Sequence, residues 1–248
     1  MRPAASRAPP PAPRQAPGDV YSFRFCPSNP DIVVAGVASG QVIAWNLADA
    51  RAQAAETKMI TGDAQEEGGS NTIAAQPFVL SAIDQSHRRT ITDIQWLPSW
   101  LDMSEKGKLT RKPDTGAEQQ QFLTVSADGQ VLFWDLQKAL QAVADEQKTK
   151  DEKEKEKSRK EGWWPTHKVA LTHPDSSVEP SCVHVIFDVP DDAEAACRLF
   201  SVTEEGEIIS IDLSNPGTDS QRGVRSVIAG HHSPSCAPQR SPPVPDVQ

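Results

Sequence analysis

No stretch of this 248-residue sequence approaches the ~18 uninterrupted apolar residues that a membrane-spanning helix needs. Residues 1–18 hold arginines and prolines but lack the apolar middle of a secretory leader. Positive charge is in short supply: 25 Lys and Arg stand against 34 Asp and Glu, a net charge of -9. That balance argues against a nucleic-acid binder, which needs a positive field to displace counterions from phosphate. Cysteine is sparse as well. Cys26, Cys182, Cys197 and Cys236 form no CxxC pair, and their gaps of 156, 15 and 39 residues match no zinc spacing. Cys26 follows Phe23 and Phe25 in a strand-like run, where a thiol behaves as a small buried hydrophobe. The sequence has no GxxxxGK phosphate loop, no HExxH pair and no GxSxG elbow. It therefore predicts no enzyme, cofactor, metal, nucleic acid, membrane or small-molecule substrate.

The hydrophobic fraction is 37%, below the ~45–50% usual for globular chains. Part of the chain should therefore lie outside any core. Eleven of the 21 prolines fall in residues 1–18 and 234–248, so 1–18 and 231–248 are predicted to be disordered Pro-rich tails.

Between the tails the sequence repeats. ASGQVIAWNL at 38–47, ADGQVLFWDL at 127–136 and EEGEIISIDL at 204–213 align without gaps. In each, a glycine (Gly40, Gly129, Gly206) stands five residues before Trp45, Trp134 or Ile211. Upstream of each lie two further short apolar runs, rich in β-branched and aromatic residues that alternate in the period of a strand. The Ser-Gly, Asp-Gly and Glu-Gly pairs supply a tight turn whose glycine accepts positive φ. Each unit thus reads strand, connection, strand, turn, strand, with units at about 21–47, 87–136 and 182–213.

This pattern resembles the WD-repeat family, whose units form four-stranded propeller blades. The resemblance implies an all-β fold: an incomplete β-propeller over 19–230, with about three blades of four-stranded antiparallel sheet. It is most specific in the middle unit, SHRRTITDIQWLP followed by LTVSADGQVLFWDL. By position in the family's pattern, His87, Ser126, Asp128 and Trp134 would form its hydrogen-bonded blade network. Ser39 and Glu205 replace the turn aspartate in the outer units, and Ile211 replaces the tryptophan, so apolar packing must carry more there. A Ser-His-Asp triad is the sharper reading of the same residue types, but a triad is defined by roles in a cleft.

Three blades fall short of the ~4–8 with which propellers close, so the chain is expected to be a piece of a longer propeller, continuing beyond about Gly230. The run RSVIAGHHS at 225–233 could open a fourth unit. Insertions are expected at 48–86, 104–120 and 137–181. The last contains 145–161, with seven acids and seven bases, which suits a solvated helix continuing from Leu136. Trp163 and Trp164 follow it, either docking back on the propeller or anchoring a partner, since tryptophan is enriched at binding hot spots.

Within WD-repeat proteins, FCPSNPDIVVAGVASGQVIAWNL, HRRTITDIQWLP, LTVSADGQVLFWDL and FSVTEEGEIISIDL resemble the axonemal dynein intermediate chains, most closely those of the inner-arm I1/f dynein. The resemblance covers about 21–213 in four islands. It implies a non-catalytic scaffold located in the cytoplasm, in the cytoskeleton of a ciliary or flagellar axoneme. Its partners would be a dynein heavy chain and other dynein intermediate and light chains. In that family light chains are held by a segment ahead of the propeller, and about 20 residues precede the first unit here. The alternative is a general WD-repeat adaptor with the same fold and other partners.

Overall fold

The three repeat turns organise the molecule. Gly40, Gly129 and Gly206 have φ of 83°, 68° and 84°, the left-handed region that side chains resist and a tight strand-to-strand reversal requires. In the computed structural model, residues 18–61, 75–111, 120–148, 163–176, 178–188, 198–213, 224–231, 233 and 237–238 are described. The two expected tails lie almost wholly outside them, as do 149–161 of the charged run, Cys197 and Cys236.

The first blade is an antiparallel sheet of β1 (Val20–Phe25), β2 (Ile32–Val37), β3 (Val42–Asn46) and β4 (Pro77–Leu80), in that order. Helix α1 (Ala48–Thr61) lies between β3 and β4 in the chain. The second blade begins with β5 (Ile91–Trp96). A separate two-stranded hairpin of β6 (Leu101–Met103) and β7 (Leu109–Arg111) follows, then β8 (Gln121–Ser126) and β9 (Gln130–Asp135). After α2 (Leu136–Lys148), the chain returns as β10 (His167–Ala170) to complete the sheet in the order β5-β8-β9-β10. The third blade is β11 (Cys182–Asp188), β12 (Arg198–Thr203), β13 (Glu207–Asp212) and β14 (Val224–Ala229). These are three four-stranded antiparallel sheets of an incomplete WD-repeat propeller.

The segments expected as insertions hold the missing fourth strands. PFVL pairs with β3 and HKVA with β9, each after a long excursion of the chain. VRSVIA, which the sequence offered as the opening of a fourth unit, is instead the outer strand of the third blade, pairing with β13 from Glu207↔Ala229 to Ile211↔Val224. A strand with free backbone groups is satisfied first by the nearest unpaired edge, and β13 supplies one.

The blades pack face to face in chain order. Ile32, Val34, Val42 and Ala44 of the first meet Ile91, Ile94, Trp96, Phe122, Leu132 and Trp134 of the second in one apolar cluster. The opposite face of the second, with Leu123, Val125, Val131 and Phe133, meets Val185, Leu199, Ile209 and Ile211 of the third. Period-two alternation is what gives each blade two apolar faces, so a middle blade reads as an almost continuous apolar run. The register slips at the same rung of every inner strand: between Val20 and Ser22, Ile91 and Asp93, and Cys182 and His184. The three blades therefore share a β-bulge.

Candidate functional site at the blade seams

The middle blade carries a buried polar chain. His87 Nδ1 lies 3.0 Å from Asp128 Oδ1, and its Nε2 lies 2.8 Å from Thr124 Oγ1. Trp134 Nε1 donates to the same Thr124 oxygen at 2.9 Å. With Asp128 accepting from Nδ1–H, Nε2 is left as an acceptor for the threonine hydroxyl, and every polar atom in the line has a role. The hydroxyl at the centre belongs to Thr124 rather than Ser126. Both lie on one face of β8, two residues apart, but Ser126 Oγ is buried without a hydrogen-bond partner. His87, Asp128 and Trp134 are thus brought together, and Ser126 stands beside them.

Asp128 also accepts from the backbone N–H of Arg88 at 2.8 Å and of Gln130 at 3.2 Å. Burial works against its ionised form, but the His87 contact and the two N–H groups outweigh that and hold the carboxyl below its ordinary value. The line-up of acid, histidine and hydroxyl mimics a triad. All its members are buried, however, and the threonine oxygen is already engaged by the tryptophan. A nucleophile needs a cleft and a substrate within reach, and this one faces the interior of a seam.

The same turn fixes the chain entering the next blade. His87 N–H donates to Gly40 O at 3.1 Å, and His231 N–H donates to Gly206 O at 3.0 Å. A Cβ at Gly40 would lie 2.1 Å from His87 O, and one at Gly206 would lie 2.4 Å from His231 O. Gly129 meets the Glu179 side chain, 2.5 Å from an added Cβ. Of the other repeat positions, Ile211 is buried between blades two and three, and Trp45 packs beside Ala35, Val37 and Ile43 on the outer face of blade one.

One feature that the repeat pattern did not disclose joins all three blades. Asp93, buried on β5, accepts from Arg24 Nη2 of the first blade at 2.9 Å and from Val185 N–H of the third at 3.2 Å. His184 Nδ1 of the third blade meets the same carboxylate. A charge that is taken out of water must be paired and hydrogen-bonded, and here the three partners supply that. The sequence signal was weak: an aspartate within ITDIQW reads as an outward-facing residue of an alternating strand.

The tryptophan pair divides. Trp163 is 6% exposed and wedges between Trp134, at 5.0 Å between ring centroids, and Phe122, at 5.9 Å. Its Nε1 donates to Asp135 O at 3.2 Å, and its carbonyl accepts from Ala82 N–H at 2.8 Å, tying the segment to both blades. Trp164 is 52% exposed, and Ile83, one residue beyond that backbone contact, is also exposed.

Among the described residues, no group of three or more His, Cys, Asp or Glu is placed to hold a metal ion, and no helix is long and apolar enough to cross a membrane. Burial pushes the Cys182 thiol up to about 11, so it is protonated and unreactive near neutral pH. Cys26 is buried as well, with its Sγ 3.2 Å from Ser28 Oγ.

Comparison with known proteins places this geometry. The family profile described as the dynein axonemal intermediate chain 3 WD40 domain matches residues 10–200. Dynein axonemal intermediate chain 3 of Mus musculus is 28% identical across 52% of this chain and 15% of its own length. That of Danio rerio is 32% identical across 49% of this chain and 13% of its own. The chain thus spans a small share of the length of the curated relatives it matches. Among solved structures, Chaetomium thermophilum Sqt1, bound to the N-terminus of ribosomal protein L10, aligns at a TM-score of 0.45 and 16% identity, covering 88% of this chain and 36% of its own. The computationally designed Ika4 protein aligns at a TM-score of 0.45 and 12% identity, over 93% and 85%. With its family profile extending from residue 10 to residue 200, the chain belongs to the dynein axonemal intermediate chain 3 WD40 domain family.

Proposed function

We propose that this chain is a non-catalytic scaffold segment of an inner-arm axonemal dynein, which binds the dynein heavy chain and so supports ciliary or flagellar motility. Membership of an axonemal intermediate-chain family carries the reading. The seams support it physically. Their polar and aromatic groups are consumed in joining blades, which leaves the rims for partners on a rigid frame. The rim beside Trp164 is the contact we favour: a half-exposed tryptophan, next in the chain to the buried and anchored Trp163, is an anchor of the kind that dominates interfaces. Other dynein intermediate and light chains would join through the same complex, in the axoneme.

The test is immunoprecipitation of the tagged chain from high-salt extracts of axonemes, read by peptide mass spectrometry. Heavy-chain peptides with the unaltered chain, reduced several-fold by Trp164→Ala, are expected. Recovery without heavy chains, from cytosol alone, would overturn the dynein reading in favour of a general adaptor. Undiminished recovery with Trp164→Ala would reject that rim only. Trp163 is unsuitable as a probe because its loss would damage the seam itself.

A further inference from the structure

The β6–β7 hairpin, inserted within the second blade, has one closed edge and one open edge. Ser104 N–H donates to Lys108 O at 3.0 Å, which makes those two a hydrogen-bonded pair. Antiparallel pairs alternate, so Asp102 and Thr110 form the next bonded pair. Met103 with Leu109, and Leu101 with Arg111, then turn their backbone groups outward. On the β6 side those groups are taken up. Leu101 N–H donates to Pro98 O at 2.9 Å. The Gln121 side chain brackets Met103 as a neighbouring strand would, accepting from its N–H at 2.8 Å and donating to its carbonyl at 3.2 Å. On the β7 side there is no such neighbour: the sheet ends at β7, and no described residue takes up the Leu109 N–H or carbonyl.

The open edge is also held in place. Leu101 and Met103 are buried, and Leu109 packs against the apolar cluster between the second and third blades. A preorganised edge loses little freedom when a strand is added to it. Its charge is the reverse of the chain's, which totals -9. Lys106 in the turn and Lys108 just before β7 are both exposed, and neither forms an ion pair with a described residue. Glu105, the acid in the same turn, is already engaged by Lys138. Lysines on an edge deter pairing with a second copy of that edge, whereas opposite charges across a strand pair attract. Alternation places Lys108 and Thr110 on the outward face of the hairpin and Leu109 on the face toward the core. A fitting strand therefore alternates carboxylates, beside Lys108, with apolar residues beside Leu109. An anionic membrane or a nucleic acid would meet the lysines but leave the backbone edge unused. We propose that the free edge of β7 receives an extended acidic segment of another protein, added as a third strand. This goes beyond the dynein reading and does not depend on it.

Fluorescence anisotropy with the full chain and a labelled peptide of alternating glutamate and valine tests it. Saturable binding is expected, with none for the alternating lysine and valine peptide. Lys106→Glu combined with Lys108→Glu, both at exposed sites, should weaken binding about tenfold with an unchanged circular dichroism spectrum. Amide hydrogen exchange supplies a second readout. Exchange of the Leu109 N–H should slow when the peptide is bound, while that of Thr110, already paired within the hairpin, should not change. Absence of saturable binding, equal binding by the double variant, or an unprotected Leu109 N–H would each overturn the proposal. So would equal binding of a peptide in which prolines replace the valines, which keeps the charge and cannot pair. Capture by vesicles of anionic phospholipid in place of the peptide would overturn it too, and would assign the lysines to a membrane surface.

Discussion

Replacing Asp93 is the sharpest way to ask whether the three blades fold as one unit. Asp93→Ala removes the acceptor for Arg24, for His184 and for the Val185 N–H. Breaking a fully buried ion pair costs about 3–5 kcal/mol, because the abandoned charge cannot reach water. Arg24 keeps 43% of its side chain exposed, so its guanidinium regains water once released and the cost falls below that range. What remains is the loss of charge-assisted hydrogen bonds, about 1.5–3 kcal/mol each, and an unpaired buried N–H worth about 1–3 kcal/mol. These overlap, and a net loss of about 2–4 kcal/mol is expected. Asp93→Asn, which keeps one accepting oxygen, should lose about half as much. Urea unfolding at fixed chain concentration, followed by circular dichroism, measures the difference. Glu105→Ala, which removes an exposed partner of Lys138, is the control and should leave the midpoint unmoved. If Asp93→Ala behaves like this control, the carboxylate is not a joint between blades. A split transition, in which one blade melts before the others, is the stronger form of the expected result.

Thr124→Val should destabilise the chain by about 2–3 kcal/mol, since it strands the Trp134 N–H and one nitrogen of His87. Ser126→Ala at the neighbouring rung, where the hydroxyl has no partner, should change the melting temperature little or raise it slightly. Gly40→Ala should cost more than the about 1–2 kcal/mol of a left-handed backbone alone, because the new methyl also meets His87 O; a neutral result by thermal melting would refute the turn geometry. Asp128 is held below its ordinary value, so its contribution is present above about pH 4 and is lost as pH falls through its lowered folded-state value. In a pH series, Asp128→Asn should therefore lose stability at neutral pH and converge on the parent chain in acid.

The parts of the fold that were legible in the sequence are those with local causes. Each repeat turn needs a residue that tolerates positive φ, and Gly40, Gly129 and Gly206 mark it without reference to anything distant. The adjoining strands follow from alternation over five or six residues. The fourth strands were opaque for the opposite reason. PFVL and HKVA are four residues long, carry no turn signal, and owe their conformation to β3 and β9, whose edges they complete. The choice between Thr124 and Ser126 was equally out of reach, because residues two apart on a strand share a face and spacing alone cannot rank them. Asp93 was missed because its partners lie 69 and 92 residues away in sequence. Trp163 and Trp164 were recognised as unusual, but only the packing of one against Trp134 and Phe122 shows that they have different tasks.

The indole pair at the first seam has an optical consequence. Trp134 and Trp163, with centroids 5.0 Å apart and ring planes inclined at 61°, are close and skewed enough for their electronic transitions to couple. Trp134 stands on β9 and Trp163 leads into β10 of the same blade, on the face that this blade turns to the first, and the backbone of Trp163 is bonded in turn to Ala82 of the first blade. Parting the first two blades would remove that anchor, weaken the near-ultraviolet dichroism of the pair and shift the emission of both indoles toward the red as water reaches them. The chain thus carries its own spectroscopic gauge of whether the seam is shut, with no label attached.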